Sequence, residues 1–471
     1  MLTAEENDEL CRVGPDTPMG KVLRRYWVPA FQLADLPTPD CPPIRVTVLG
    51  ENFVAFRDTN GQLGFLEELC CHRGASLTLG RVEDCGIRCL YHGWKYTVDG
   101  TITETPNLPD SRFKERVKHP AYPVREGGGL GWVYLGPPGT EPEFPRYPFL
   151  DITPEEAMVG EMVLDCNWVQ VQEGSIDSSH IGVLHLDTII SMRPGPRAVG
   201  SKHFEGDLWD DSIAMPGTRG RGANGGGDRG TAAGGDGGPR GQGAPQPSGR
   251  RPEGVSDWDN APRIQVENTP FGFHYAAIRS VPDQPGQRYV RVTAFLMPFI
   301  AYIPPGSGPV IVVPRDDYTC STMIVGRRQP GAAAQGPMRG IDPTVWGPLP
   351  DQRRFHAPAQ DREAMAAGKS FAGYRGGNRI QDAAVHLSMG PMYNRANEHL
   401  VPPDVAVVRF RRLLQESARL VAVGKDPVGI CRGFDTSKIK AESGLIDADA
   451  RWQELVPDNL GPGVAADAST G

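Results

Sequence analysis

The chain has 471 residues, 39% hydrophobic and 23% charged, with 49 Lys and Arg against 57 Asp and Glu for a formal net charge of −8. At roughly 100–200 residues per domain this allows two to four domains with ample cores, and the acidic balance disfavours a nucleic-acid coat, which needs a positive face. Apolar runs such as Ala294–Pro305 fall short of the ~20 residues of a bilayer span, and the acidic first ten residues lack the basic-then-apolar order of a secretory leader. A cytoplasmic protein with neither membrane nor nucleic acid as partner is expected.

Ile44–Leu49, Phe53–Phe56 and Leu63–Leu66 alternate apolar and polar residues, with Gly50, Asn60 and Gly61 between them. The pattern predicts short antiparallel strands. It continues through Val133–Leu135 to a cluster of Pro and Gly at 137–145, so a β-rich module is expected over about 30–140. Residues 219–254 hold fourteen glycines and no Val, Ile, Leu, Met, Phe, Trp or Tyr. Such a stretch cannot bury enough apolar surface to offset its ordering entropy and is expected to be a flexible insertion. Within it, Gly220-Arg-Gly-Ala-Asn-Gly225 matches a dinucleotide fingerprint but lacks the preceding strand and following helix. Reducing equivalents from NAD(P)H would therefore have to come through another protein. Further on, Phe271–Ile278, Tyr289–Leu296 and Val310–Val313 predict strands, and Ala406–Val421 predicts an amphipathic helix.

Nine cysteines in a cytosolic chain do not suggest a disulfide framework. Five are scattered and are expected to be small buried hydrophobes. Cys70-Cys-His72-Arg-Gly74, followed by Cys89-Leu-Tyr-His92-Gly93-Trp94, instead forms Cys-x-His and Cys-x-x-His pairs. Two thiolates and two imidazoles at this spacing suit a [2Fe–2S] centre of the Rieske kind, with Cys70 and Cys89 on one iron and His72 and His92 on the other. The alternatives are a tetrahedral zinc site from the same four residues and coincidence. Zinc motifs more often repeat a Cys-x-x-Cys knuckle. Gly74 and Gly93 would let the two loops approach the cluster closely.

A second constellation runs from Asn167 to His185, with Asp177 three residues before His180 and His185 five after it. Two histidines and one carboxylate on one face of an iron leave positions open for O2 and substrate. On a regular helix the two histidines would lie about 140° apart, so a helix end or an irregular turn is expected between them. The carboxylate is open at this point. Asp177 is a candidate ligand but could instead bridge two metal centres through histidine N–H groups, and Asp382, with His386 one turn later, is the other candidate.

The chain resembles the large subunits of the Rieske non-haem iron aromatic-ring oxygenases, in the phthalate 4,5-dioxygenase and phenoxybenzoate dioxygenase group. The resemblance rests on Leu2–Asn7, Thr17–Gly20, Leu23–Trp27, the two Cys/His loops, Asn167–His185, Phe271–Arg279 and Gln381–Leu400. It implies an α+β fold: a helical segment over 1–29 packing on the catalytic domain, an all-β Rieske domain over 30–140, a helix-grip catalytic domain over 141–430 and a C-terminal tail over 431–471. It makes His180, His185 and Asp382 ligands of one mononuclear Fe(II), and Asp177 a bridge that crosses between subunits of a trimeric ring, in a homotrimer or hexamer. Asn394 and His386 depart from the residues usual at their positions.

The expected activity is insertion of oxygen from O2 into a small aromatic substrate, with electrons from a partner reductase carrying flavin and an iron–sulfur cluster. Oxidative O-demethylation and diaryl-ether cleavage use the same metals, and a non-catalytic Rieske electron carrier is opposed by the second metal motif. For an aromatic carboxylate an arginine clamp is expected, with Arg279, Arg288 and Arg291 as candidates.

Overall fold

The computed structural model describes residues 2–109, 112–186, 261–281, 284–304, 308–328, 353–375 and 377–460. The stretch 219–254 and the fingerprint within it lie outside the described residues. Two short helices open the chain: α1 (Ala4–Cys11), closed at its start by a Thr3/Glu6 capping box, and α2 (Pro18–Leu23), capped by Thr17. Asn7 donates to the Tyr393 carbonyl, while Arg24 donates to the Leu49 carbonyl. The segment thus ties late and early parts of the chain together.

Three small antiparallel sheets follow. Strands β1 (Trp27–Gln32), β2 (Ile44–Val48), β3 (Glu51–Arg57), β4 (Leu63–Glu67), β5 (Arg81–Glu83), β6 (Gly86–Arg88), β7 (Lys95–Tyr96), β8 (Ile102–Glu104), β9 (Val124–Gly127) and β10 (Leu130–Tyr134) pair in the orders β1-β10-β9, β2-β3-β4 and β5-β6-β7-β8. The strands expected over 44–66 are β2 to β4. Alternation on β3 and β4 sends Phe53, Ala55 and Phe65 into the main core, and Val54, Phe56 and Leu66 into a second, smaller core with Ile87, Tyr96 and Ile102.

The described residues from 157 onward build one antiparallel sheet of eight strands. Its order is β11 (Ala157–Leu164), β17 (Cys320–Arg327), β16 (Pro309–Pro314), β15 (Ile300–Tyr302), β14 (Gln287–Leu296), β13 (Gly272–Ser280) and β12 (Arg263–Thr269). The C-terminal part of β14 pairs with β15, and its remaining length pairs with β18 (Glu442–Asp447). β15 spans only three residues, leaving the rest of that edge of β14 to be paired, and β18, within the segment 431–471 expected as a C-terminal tail, takes most of it. Helices α3 (Trp168–Ser175) and α7 (Val405–Ala422) lie against the sheet, with α4 (Ile181–Leu184), α5 (Arg362–Ala366) and α6 (Asn378–Ser388) between them in the chain and α6 packed on α3 and α4. Helix α7 is the expected amphipathic helix, and its Phe410 meets Trp168 and Phe295 edge-on. The architecture is the expected α+β arrangement, small β-sheets followed by an antiparallel sheet gripping helices. No helix among the described residues is long and apolar enough to cross a membrane.

Candidate metal centres

The two Cys/His loops have the same backbone plan. Cys70 N–H donates to the Ala75 carbonyl and Gly74 N–H to the Cys70 carbonyl; Cys89 N–H donates to the Trp94 carbonyl and Gly93 N–H to the Cys89 carbonyl. Each loop therefore closes on a glycine four residues after its cysteine, at φ 71° for Gly74 and 76° for Gly93, the left-handed region open to glycine. A Cβ on Gly93 would also lie 2.9 Å from Pro106 Cγ.

The loops bring the His72 and His92 rings to 4.4 Å between centroids, and Trp94 stacks on His72 at 4.5 Å. Cys70 and Cys89 are buried beneath them. The Cys89 hydrogen bond, helped by the Tyr96 hydroxyl 2.9 Å from Cys70 Sγ, draws the Cys70 thiol down to about 5 against the effect of burial. Cys71 is exposed. Cys85, also exposed, sits in the β5–β6 turn at φ 60°. Two thiols on one side and two imidazoles on the other, in two matching loops, fit a [2Fe–2S] group held between them.

The second centre is built from two helices far apart in sequence. Asn167 caps α3 by accepting from Val169 N–H, and its amide donates to the carbonyls of Cys11 and Asp317, fixing where α3 begins. Helix α3 stops at Ile176, and His180 and His185 flank the four-residue α4 as its two caps. The break expected between the histidines is not there: a helical turn runs between them, and the helix ends instead at the histidines themselves, His180 at its start and His185 at its end. Their rings stand 5.0 Å apart. Helix α6 brings Asp382 against both, with Oδ1 3.1 Å from His185 Nε2 and 3.6 Å from His180 Nε2.

The opposite ring nitrogens are held elsewhere: His180 Nδ1 lies 3.1 Å from Asp177 Oδ2, and His185 Nδ1 lies 2.8 Å from Gln381 Oε1. With Nδ1–H donating to those oxygens, two Nε2 lone pairs and a carboxylate oxygen converge, all within 4.8 Å of one another. Three acceptors facing one point repel unless a cation lies among them, so the donor set fits a divalent metal. When the two histidines are instead protonated on both nitrogens, burial still disfavours charge here, but the hydrogen bond from His185 and the histidine charges keep the Asp382 carboxyl below the usual range. Burial likewise works against the His180 proton, and the hydrogen bond to Asp177 outweighs it to raise that pKa.

Asp177 itself accepts from the Ser179 amide and hydroxyl through Oδ1, leaving Oδ2 for His180. The sequence pointed to no role for Gln381 or Tyr275, and to Arg279 only as a clamp candidate. Gln381 orients His185, and its only signal is adjacency to Asp382. Tyr275 and Arg279 of β13 hold Ser178, through its hydroxyl at 3.0 Å and its carbonyl at 2.8 Å. His386 is buried against α3, where a Cβ on Gly174 would meet its Nε2 at 2.1 Å, and burial pushes its pKa down to about 4.

A Rieske [2Fe-2S] domain matches residues 26–123, and a family described as LigXa C-terminal domain like matches 133–209 and 250–460. The gap between the two matched stretches coincides with most of the glycine-rich insertion. Over 96% of this chain and 94% of the relative, the sequence is 34% identical to the phthalate 4,5-dioxygenase oxygenase subunit of Pseudomonas putida. It is 32% identical to the 3-chlorobenzoate-3,4-dioxygenase oxygenase subunit of Comamonas testosteroni over 91% and 92%, and 27% identical to the phenoxybenzoate dioxygenase subunit alpha of Ectopseudomonas oleovorans over 93% and 90%. Among solved structures, a Pseudomonas putida CBB5 NdmA mutant with theobromine shares the fold at TM-score 0.53 and 17% identity, covering 92% of this chain and 99% of that one. The chain belongs to the Rieske non-haem iron aromatic-ring oxygenases, as an oxygenase subunit whose cofactors are a [2Fe–2S] cluster and a mononuclear iron.

Proposed function

We propose that this subunit inserts oxygen from O2 into an aromatic substrate bearing a carboxylate, using electrons from a separate NAD(P)H-dependent reductase that carries flavin and an iron–sulfur cluster. One observation carries the substrate class. The three relatives matched over nearly their whole length are named for phthalate, 3-chlorobenzoate and phenoxybenzoate, each an aromatic carboxylate. The match to a 5,5'-dehydrodivanillate O-demethylase oxygenase subunit of Sphingobium covers only 44% of this chain.

In this reading the domain over 30–140 carries the cluster, through Cys70 and Cys89 on one iron and His72 and His92 on the other. The domain over 141–430 carries the mononuclear iron on His180, His185 and Asp382. When bound, the cluster supplies single electrons and the mononuclear iron activates O2. The protein's own part is to fix geometry. Asp177 and Gln381 hold the two Nδ1–H groups so that both Nε2 lone pairs face the Asp382 carboxylate, as in other histidine metal sites whose ring orientation is set by a second partner. Among the described residues the hydrogen bonds of Asp177 run to Ser179 and His180. By the family resemblance its bridging role falls between subunits of a trimer or hexamer, where a neighbour's cluster histidine would meet it.

The test is turnover with a reconstituted reductase and isotopically labelled O2 over phthalates, phenoxybenzoates and methoxybenzoates, on protein holding about three irons per chain, two in the cluster and one at the triad. The expected product is a ring diol carrying both labelled atoms. Demethylated or ether-cleaved product would identify a monooxygenase instead, and no turnover of any aromatic carboxylate would overturn the substrate class.

A further inference from the structure

The β13–β14 register places Tyr275 opposite Thr293, Ala277 opposite Arg291, and Arg279 opposite Tyr289. Alternation puts Tyr275, Arg279, Arg291 and Thr293 on one face of the sheet, while Ala276, Ile278, Val290 and Val292 pack with Trp452 on the other. The polar face is the one on which the loop from Asp177 to His180 sits, since Tyr275 and Arg279 both hold Ser178. The three candidate arginines therefore differ in kind. Arg288 shares the face of Val290 and Val292, away from this loop. Arg279 is engaged with the Ser178 carbonyl and positions the loop.

Arg291 is different. It is only 6% exposed, and Nη2 donates to the Pro304 carbonyl at 3.0 Å. Its Nε and Nη1 are buried and have no hydrogen-bond partner among the described residues. Three of the five N–H donors of a guanidinium are thus open. It lies on the polar face one pleat from Thr293, which stands opposite Tyr275, and the Tyr275 hydroxyl meets Ser178 next to Asp177 in the loop that ends at His180. A buried cation with open donors is costly unless an anion meets it, and the planar guanidinium matches a carboxylate. The carboxylates of the triad region, Asp177 and Asp382, face the histidines.

We propose that Arg291 receives the carboxylate of the aromatic substrate and is the residue that selects for it. The proposal rests on the aromatic-carboxylate reading above and names the group that enforces it. Its test is anaerobic titration calorimetry of the full-length, metal-loaded protein with phthalate and benzoate, and with benzamide as the neutral counterpart. Loading is checked by iron content and by the visible spectrum of the cluster. Arg291→Gln is expected to weaken phthalate and benzoate binding roughly 10–100-fold, as for loss of hydrogen bonds to a charged group, and to leave benzamide within about 2-fold. Arg291→Lys, which keeps the charge without the fork, is expected to fall between.

Unchanged phthalate affinity in a loaded Arg291→Gln protein would overturn the role of Arg291 and leave the substrate class standing. Failure of the wild-type protein to bind any aromatic carboxylate would overturn both. Should Arg291→Gln fail to load metal, Arg291→Lys decides: wild-type affinity for both carboxylates would overturn the proposal.

Discussion

Asp177 and Asp382 meet opposite edges of the same His180 ring, at Nδ1 and Nε2, and the proposed roles separate by that geometry. Asp382→Ala removes the carboxylate facing both Nε2 atoms, so mononuclear iron content is expected to fall while the reduced-cluster paramagnetic resonance signal persists. Asp177→Asn keeps a carbonyl oxygen for Nδ1–H, so much of the iron is expected to stay while turnover drops about 10–100-fold, as for other outer partners of ligand histidines. Iron analysis with single-turnover oxidation of a pre-reduced cluster reads both, and an empty iron site in Asp177→Asn beside a full one in Asp382→Ala would reverse the roles. Gly174 offers a finer probe. Its missing Cβ is where His386 Nε2 lies, one turn beyond Asp382 on α6. Gly174→Ala is expected to cost about 1–3 kcal/mol by overpacking and to lower iron content by shifting α6. Adding His386→Ala should recover much of both, measured by denaturant unfolding and metal analysis.

At the scale of elements, α3 is anchored by a buried ion network. Glu173 accepts from Arg395 at 2.9 Å and from Arg411 at 2.7 Å, and Arg411 also pairs with Glu398. Arg395, with no exposed side-chain surface, donates as well to Asn7 of α1. The network therefore ties α1, α3 and α7 to the segment after α6. Glu173→Gln leaves Arg395 buried without its counter-charge, and a loss of about 3–5 kcal/mol is expected in urea unfolding. Burial alone would raise the Glu173 carboxyl, but the two guanidinium charges outweigh it and hold it below its ordinary value. A carboxyl held low stabilises the fold above its unfolded pKa and loses that contribution as pH falls through the folded one. Acid unfolding is thus expected to begin below about pH 4.5, the ordinary glutamate range, and to be less steep in Glu173→Gln.

For the whole molecule, the sheet of β2, β3 and β4 is the joint. One face of β3 and β4 enters the main core, and the other enters the small core beneath the Cys/His loops. The β2–β3 turn also docks on the eight-stranded sheet, with Leu49 N–H donating to the Pro314 carbonyl and Gly50 N–H to Arg315. A sheet shared by two cores couples their unfolding. Bleaching of the cluster and loss of far-ultraviolet dichroism are therefore expected to share one thermal midpoint. Phe56→Ala opens the small core, at about 3–5 kcal/mol for a buried phenylalanine, and should lower both midpoints together. Bleaching well below the dichroism transition would show that the cluster-bearing part unfolds by itself.

What the sequence determined was local. The Cys70/Gly74 and Cys89/Gly93 spacings, the alternation in β2 to β4 and the periodicity of α7 are set by residues within a few positions of one another, so they could be read directly. The helical wheel predicted an interruption between His180 and His185, whereas the structure places both at the ends of one helical turn, where their side chains are free to converge. The sequence could not choose between Asp177 and Asp382 without a family resemblance, and it missed Gln381, because the His185 contact spans 196 residues. Nor could it rank Arg279, Arg288 and Arg291, each a cation on or beside a strand. Strand pairing ranked them: pleat alternation sends Arg288 to the far face, the Ser178 carbonyl engages Arg279, and Arg291 is buried with donors that meet no partner among the described residues. Side-chain partners across a sheet and between helices are decided by tertiary packing, which no window of neighbouring residues contains.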